Sequence, residues 1–308
     1  MQRTEWIELH DHPKCPAALR DLFTDALQAV WEFSNSYGPI LPRLRKVLAA
    51  ASATKVLDLC SGGGGPWERL SHQLELEYQL PVHVCLSDKY PNRIAFERAR
   101  LRSHEQSGSG AQPVPGSRIG FTASPVDATH VPASLCGFRT MFSSFHHFGP
   151  TQAREILRDA MVKDRGIAVF ELARRDAKTL LAICMMPFLV MLLTPRIRPF
   201  LWSRLLWTYL VPVVPMAIGF DGLVSCFRAY GLEELEEMRK EMEEAPGPKE
   251  YCWELGVERT GFLPVTFLIG YPSGAVRFPE LAPLPQLSVA PLSQLSTYDV
   301  EGRRPTGS

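Results

Sequence analysis

The chain has 308 residues, of which 45% are hydrophobic, so it can bury a substantial core in one large or two small domains. Lysine plus arginine and aspartate plus glutamate each total 33, and this zero net charge argues against the basic surface that a nucleic-acid-binding protein needs. The seven cysteines are scattered and form no C-x-x-C pair, so we expect neither a disulfide framework nor a zinc ribbon.

The N-terminal part of the chain predicts two helices. Apolar residues recur at helical spacing over residues 16–30 and again over residues 42–50. The first residues carry acids where a secretory signal would need a basic start and an apolar stretch. We therefore expect a cytoplasmic protein, in agreement with a reducing environment for its cysteines.

Strands and helices alternate along the middle of the chain. Short apolar segments bounded by turn residues predict strands at residues 55–59, 82–87, 118–123, 139–143 and 166–172, and helices at residues 67–76, 91–101 and 151–162. A longer helix is predicted over residues 223–244, before an antiparallel pair of strands at residues 251–257 and 264–270. This pattern predicts an α/β fold with a doubly wound, mostly parallel seven-stranded sheet and an antiparallel last strand.

A glycine-rich turn follows the first predicted strand. Residues 60–65 read CSGGGG, directly after the strand that contains Asp58. Such a turn lets the backbone approach a ligand closely and points helix N-terminal amides at it. The glycine turn of a nicotinamide dehydrogenase serves close helix-to-strand packing, which the bulky Trp67 would block, so we keep that reading only as an alternative.

The segment VLDLCSGGGG, residues 56–65, resembles the cofactor-binding turn of class I S-adenosylmethionine-dependent methyltransferases. The pattern of that family is acid-x-Gly-x-Gly-x-Gly, and Cys60 stands here in place of the first glycine. The resemblance implies a Rossmann-like methyltransferase fold that binds S-adenosylmethionine. The turn residues that it assigns to the cofactor are Asp58, Cys60, Ser61, Gly62 and Gly64.

Two more acids stand where this family holds its cofactor. The resemblance assigns Asp88, after the second strand, to the ribose hydroxyls, because one carboxylate can accept from both. It assigns Asp127, after the third strand, to the adenine amino group, and the amide of Ala128 to the adenine ring. Each acid taken singly is more often a turn or capping residue, but three successive strand ends share the edge where open α/β sheets bind ligands.

The fourth predicted strand is followed by FHHF, residues 145–148, which resembles the Leu-His-His-Leu signature of many small-molecule methyltransferases. Methyl transfer from a sulfonium mainly requires alignment and exclusion of water, and a base helps when the acceptor is a hydroxyl or a protonated nitrogen. His146 and His147 are therefore the candidate catalytic residues. The alternative is that the pair closes the cofactor pocket or orders the loop.

The N-terminal sequence ELHDHPKC has side chains that could bind a transition metal, namely Glu8, His10, Asp11, His12 and Cys15. Their short spacing matches no standard zinc motif, so we predict surface polar residues and no metal site. The aromatic residues of this region could form a lid over the cofactor, with ordinary core packing as the alternative. They are Trp6, Trp31, Phe33 and Tyr37.

Two apolar runs, residues 180–193 and 205–220, form an insert after the fifth strand. Each is shorter than the ~20 residues of a membrane-spanning helix, and prolines interrupt both. With Arg196, Arg198 and Arg204, the insert could rest peripherally on an anionic membrane. A buried cap over a hydrophobic substrate channel explains the same composition, and we favour it.

The sequence therefore predicts methyl transfer from S-adenosylmethionine to a small apolar or amphipathic molecule. The alternatives are an NAD-dependent oxidoreductase and a membrane-associated protein that has the fold without the catalysis. The predicted segments are an N-terminal helical lid (1–53), the cofactor-binding core (54–178), a hydrophobic insert or cap (179–222), the C-terminal part of the core (223–272) and a disordered tail (273–308).

Overall fold

Seven strands form one sheet in the computed structural model of this protein, which describes residues 3–4, 6–12, 14–107, 118–248 and 251–272. The tail predicted at residues 273–308 lies outside the described residues. The strands are β1 (Lys55–Leu59), β2 (His83–Leu86), β3 (Arg118–Phe121), β4 (Phe138–Phe142), β5 (Ile167–Glu171), β6 (Tyr251–Glu258) and β7 (Val265–Pro272).

The order of the strands across the sheet is β3-β2-β1-β4-β5-β7-β6. β1 to β5 are parallel, and β7 runs antiparallel to both β5 and β6. β4 and β5 are buried along their whole length, as expected for central strands covered on both faces. The predicted fold class, including the antiparallel end of the sheet, is confirmed.

Nine helices are described, most of them in the connections between strands. They are α1 (Ala17–Ser34), α2 (Leu41–Ala50), α3 (Trp67–Tyr78), α4 (Arg93–Ser107), α5 (Pro150–Val162), α6 (Ala177–Leu193), α7 (Trp202–Leu205), α8 (Val213–Arg228) and α9 (Leu232–Glu244). The strand order reverses between β1 and β4, so the carboxyl ends of these two strands border the crevice where open α/β sheets bind ligands.

The single helix predicted over residues 223–244 is wrong, because α8 and α9 divide that stretch. The backbone turns extended at Ala229, with ψ at 136°, and this ends the helical hydrogen bonding of α8. Gly231 then begins α9 by donating its N–H to the Glu234 side chain. α8 itself begins inside the predicted insert, at Val213, and ends at Arg228, beyond the predicted insert boundary at residue 222.

The insert packs one apolar face inward. α6 and α8 pack against each other and against α1, and Phe23, Val190 and Ile218 belong to the buried cluster that joins them. The helical segment Ala177–Arg196 has 20 residues, and an 18-residue window within it has a mean hydropathy of 2.0. By length and composition the segment could cross a membrane, and 22% of that window is buried. This segment is longer than the apolar run at residues 180–193. The reason is that α6 begins at Ala177 and a short turn, Thr194–Arg196, continues it.

Arg204 lies inside the protein rather than on the surface of the insert. Its side chain is 3% exposed, and its Nη2 lies 2.6 Å from Oδ2 of Asp25 in α1. The same guanidinium donates to the backbone oxygens of Ile197 and Pro199. Arg204 therefore takes no part in the alternative of membrane contact, because it anchors the insert to α1 through a buried ion pair.

Candidate active site

The glycine-rich turn of residues 60–65 has a left-handed backbone at four positions, which are Cys60, Gly62, Gly64 and Gly65. Cys60 has φ at 57°, so a residue with a side chain adopts the conformation at the place of the first family glycine, at a cost of roughly 1–2 kcal/mol. A Cβ atom on Gly63 would lie 2.7 Å from the backbone oxygen of Thr24. The turn therefore needs glycine at position 63 to accept the close approach of α1.

Asp58 lies beneath this turn and holds it in place. Its carboxylate accepts hydrogen bonds from the hydroxyls of Ser61, at 2.7 Å, and Thr140, at 2.6 Å. Burial raises the pKa of Asp58 to about 7, against the opposing effect of the hydrogen bonds from Thr140 and Ser61. The indole of Trp67 is buried beside them and donates to Thr140 at 3.3 Å. The indole of Trp67, which disfavours a dinucleotide-binding turn, is thus packed against β4.

The raised pKa of Asp58 predicts a specific pH dependence of stability. An aspartate in the unfolded chain releases its proton near its ordinary pKa of 3.8, whereas Asp58 in the folded protein keeps its proton up to about pH 7. Because the folded state binds more protons in this window, the Asp58 contribution to the free energy of unfolding falls as pH rises from about 4 to about 7 and is constant above.

We expect this decline to be absent in Asp58→Asn, which has no proton to release. Urea unfolding of the wild type and the variant at several pH values between 5 and 8 measures the difference. Parallel pH profiles of the two proteins would show that Asp58 is ionised in the folded state.

Asp88 joins the turn to the end of β2. Its Oδ2 accepts from the N–H of Gly62 at 2.9 Å, and its Oδ1 accepts from the N–H of Tyr90 at 2.8 Å. The residue is half-buried. Each carboxylate oxygen can accept more than one hydrogen bond, so Asp88 is oriented by the backbone and keeps acceptor capacity for the two hydroxyls of a ribose.

Asp127 lies farther out, after β3. Oδ1 of Asp127 accepts from the hydroxyl of Thr129 at 2.7 Å and Oδ2 lies 3.2 Å from Nζ of Lys89. These hydrogen bonds, that from Thr129 first, hold the pKa of Asp127 below its usual value, so the carboxylate is ionised. The methyl group of Ala128 is buried in the core beside it. Asp127 is thus placed to accept a hydrogen bond at the rim of the site.

The acids of this sheet edge converge on Cys60. Burial, and then the carboxylates of Asp88, Asp58, Asp11 and Asp127 in that order, raise the pKa of the Cys60 thiol well above its usual range. Asp11 comes from the N-terminal segment, whereas Asp58 lies in β1, and Asp88 and Asp127 follow β2 and β3. The N-terminal segment therefore lies near the turn that the sequence assigns to the cofactor.

The end of β4 forms another wall of the site. Ser143 has a left-handed backbone, with φ at 42°, and its hydroxyl accepts from the hydroxyl of Tyr37 at 2.6 Å and from the N–H of Leu172 at 3.2 Å. Tyr37, one of the predicted lid aromatics, is therefore part of the wall. Trp6 and Phe33 are 59% and 65% exposed, so they do not line a buried pocket.

His146 is buried in a short turn after β4, with both ring nitrogens facing carboxylates. Nδ1 lies 2.7 Å from Oε2 of Glu171, the last residue of β5, and Nε2 lies 3.4 Å from Oε1 of Glu8. Burial by itself lowers the pKa of His146, but Glu171 and Glu8 outweigh it and raise the pKa to about 10. The sequence predicted His146 but no carboxylate beside it.

The N-terminal sequence ELHD packs against these histidines instead of facing solvent. Glu8 is 1% exposed, and Asp11 is half-buried with its Oδ2 2.7 Å from Nδ1 of His147. His10 is held by Asp221 of α8, with 2.8 Å between Nδ1 and Oδ2. The prediction of surface polar residues is therefore wrong for Glu8, His10 and Asp11, and it holds for the exposed His12.

We call this arrangement the N-terminal cluster. It consists of Glu8, His10, Asp11, His146, His147, Glu171, Asp221 and Arg228. Arg228 at the end of α8 donates to the backbone oxygens of His146 and His147 and thereby fixes the histidine turn. Nothing in the local sequence marked Asp221 or Arg228, whereas Glu171 could have been noted as an acid at the end of a central strand.

No protein-family model matches the chain, and no curated protein matches it. Among solved structures, the plantazolicin methyltransferase BpumL in complex with SAH is 11% identical, with a TM-score of 0.44 over 83% of this chain and 96% of that chain. YjhP from E. coli is 12% identical, with a TM-score of 0.45 over 82% and 99%. A SAM-dependent methyltransferase from Aquifex aeolicus is 12% identical, with a TM-score of 0.37 over 74% and 88%.

The strand order and the antiparallel β7 define the fold independently of the similarity to these solved structures. The fold is the Rossmann-like α/β fold that the resemblance in the sequence implies. The glycine turn and Asp88 lie together at the carboxyl edge of its sheet, and Asp127 follows the neighbouring strand.

Proposed function

We propose that this protein transfers the methyl group of S-adenosylmethionine to a small apolar or amphipathic acceptor. The observation that carries the proposal is the hydrogen bond from the Gly62 amide to Asp88, which ties the left-handed turn after β1 to a half-buried acid after β2. A nucleoside ligand fits such an edge, because the turn admits close approach while the carboxylate accepts from vicinal hydroxyls.

The chain has candidate residues for the ribose and the adenine of the cofactor. Asp88 would hold the ribose, and Asp127 with the Ala128 amide would hold the adenine, while Asp58 positions the turn from below. S-adenosylmethionine, when bound, supplies a methyl carbon that is activated by a sulfonium. The protein's remaining task is to align the acceptor and exclude water.

His146 and His147 lie at the carboxyl end of β4 and are proposed to act at the acceptor end of the site. His146 is buried between Glu171 and Glu8, with its side chain 3% exposed, so it orders this end and an acceptor cannot reach its ring. His147 is 18% exposed and is the member of the pair that an acceptor can reach. α8 contributes Asp221 to the same region, so the insert reaches the acceptor end as the predicted cap would.

The test is direct binding followed by turnover. Calorimetry with S-adenosylmethionine should show one site per chain, and NAD should not compete. Incubation with methyl-labelled cofactor and metabolite extracts, followed by mass spectrometry, should then identify labelled products among apolar or amphipathic molecules. Absence of affinity for S-adenosylmethionine, or tight binding of NAD in its place, would overturn the proposal.

We also propose that the outer face of the insert rests on a membrane. This face exposes many large apolar side chains, with Trp202 at 78% and Leu210 at 77%. Arg196 and Arg198 are exposed beside it and can contact anionic headgroups. Many exposed apolar side chains in one insert, with cations in the same insert, are typical of peripheral membrane contact.

The membrane proposal predicts that charges on this face weaken binding to vesicles. The double variant Leu181→Asp/Leu210→Asp should sediment with anionic phospholipid vesicles at least tenfold more weakly than the wild type, since burying one leucine is worth about 1.5–3 kcal/mol. Leu76→Asp is the matched control, because Leu76 in α3 is 68% exposed and Leu181 is 66% exposed. Equal sedimentation of wild type and double variant would contradict the proposal.

A further inference from the structure

Two buried polar atoms of the N-terminal cluster make no hydrogen bond with any described residue. They are Oε1 of Glu8 and Nε2 of His146. Their side chains are 1% and 3% exposed, and the two atoms face each other at 3.4 Å. A buried carboxylate oxygen and a buried imidazole nitrogen are costly without hydrogen bonds, so a ligand placed between them would satisfy both.

We propose that a divalent transition-metal ion binds between Glu8, His146 and His147. Nδ1 of His147 lies 3.5 Å from the same oxygen of Glu8, and the three ligand atoms lie within 4.8 Å of one another. Metal–ligand bonds of about 2.1 Å in a tetrahedral arrangement place ligand atoms about 3.4 Å apart. The separations of 3.4 and 3.5 Å from Oε1 of Glu8 to the two imidazole nitrogens match this spacing.

Glu171 has the role that carboxylates have behind metal-bound histidines. It lies 2.7 Å from Nδ1 of His146, which directs the opposite nitrogen, Nε2, toward Glu8. Its other oxygen accepts from the N–H of Phe145 at 2.7 Å, so the carboxylate itself is fixed. A carboxylate on the far nitrogen orients a ligating imidazole and increases its basicity.

The donor set selects the kind of ion. One carboxylate and two imidazoles suit zinc and its first-row neighbours, and three protein ligands leave a coordination position open. Asp11 now contacts Nδ1 of His147 at 2.7 Å and would give up this contact when the ion binds. Nη1 of Arg228 lies 3.6 Å from Oδ2 of Asp11 and can hold the released carboxylate.

The charges around the site also favour a cation. The cluster contains four carboxylates, those of Glu8, Asp11, Glu171 and Asp221. Arg228 contributes one positive charge, and its Nη1 lies 3.9 Å from Glu8. An ion that replaces protons on the ligating imidazoles would offset part of the negative charge of these carboxylates.

The metal would activate the acceptor at its end of the site, and this part of the inference rests on the proposed function. An acceptor oxygen in the open coordination position would lose its proton more readily, because a bound cation stabilises the oxyanion. His146 and His147 would then act as ligands and not as proton acceptors. This departs from the sequence-based prediction of no metal site.

The test uses the full-length protein, stripped with a chelator and titrated with Co²⁺ and Zn²⁺ alone. We expect one equivalent of Co²⁺ per chain with a visible absorption spectrum of nitrogen and oxygen ligation. Glu8→Gln and His147→Gln should each weaken binding by at least tenfold, and Glu171→Gln by roughly 10- to 100-fold through the loss of orientation. His130→Gln, which alters an exposed histidine outside the cluster, should bind like the wild type.

Circular dichroism identifies any variant that fails to fold. If Glu8→Gln does not fold, metal binding by His147→Gln tests the site in its place, because His147 is the less buried ligand. No binding by the wild type, unchanged binding by the folded variants, or absorption bands of cysteine thiolate ligation would overturn the proposal. Calorimetry with S-adenosylmethionine on the same preparation is scored separately. Metal binding without cofactor binding would leave this inference intact and refute the proposed function.

Discussion

Replacing Asp88 by alanine should reduce the affinity for S-adenosylmethionine by at least about 100-fold, because the proposed site would lose two hydrogen bonds from ribose hydroxyls to a charged acceptor, each worth about 1.5–3 kcal/mol. The carboxylate is positioned in advance by the N–H groups of Gly62 and Tyr90. The Asp88 carboxylate therefore needs little reorganisation when the nucleoside binds. Isothermal titration calorimetry of wild type and variant measures the change.

The removal of Asp88 also frees the amide of Gly62, so a change in the turn must be separated from a change in recognition. Asp88→Asn keeps one acceptor oxygen and should lose less affinity than Asp88→Ala. Glu155→Ala, on the exposed surface of α5, should bind the cofactor like the wild type. An unchanged dissociation constant in Asp88→Ala would remove this acid from the cofactor site.

Replacing Asp25 by alanine should cost about 3–5 kcal/mol of unfolding free energy, because it leaves a buried guanidinium without its counter-charge. Oδ2 of Asp25 lies 2.6 Å from Nη2 of Arg204, and Oδ1 lies 3.1 Å from Nη2 of Arg98. The side chain of Arg204 is 3% exposed, so water cannot replace the lost partner. The insert should loosen from α1 in this variant.

Urea unfolding followed by circular dichroism gives the free-energy difference. Glu241→Ala is the matched control, because Glu241 pairs with Arg154 on the surface, where both side chains are at least 34% exposed. An exposed pair of this kind is worth about 0–1 kcal/mol. Equal destabilisation by the two substitutions would show that the ion pair of Asp25 is solvated rather than buried.

The sheet edge that carries the candidate cofactor residues could be predicted from local sequence. Asp58, Asp88 and Asp127 each follow or end a short apolar segment, and parallel strands bring their carboxyl ends to one edge whatever the loops do. The histidine turn could be placed in the same way, since it follows β4. Their partners could not be read locally, because a hydroxyl such as that of Thr140 is 82 residues from Asp58.

The ELHD segment shows where local reasoning fails. Its spacing matched no metal motif, so Glu8 was predicted to face solvent, yet the structure buries it against His146. The ligand-like arrangement depends on α8, whose Asp221 holds the backbone N–H groups of Leu9 and His10. No spacing rule covers a site whose members come from three distant parts of a chain.

The amino-acid sequence by itself determined the strands, the parallel direction of β1 to β5 and the acids at their ends, because hydrophobic periodicity and strand-end chemistry are local properties. Only the tertiary structure decided that Glu8 and Asp11 meet the histidines, that Arg204 is buried, and that the insert exposes one apolar face. Those outcomes depend on which surfaces remain to be covered once the sheet has formed, and on the cost of burying a charge without a partner.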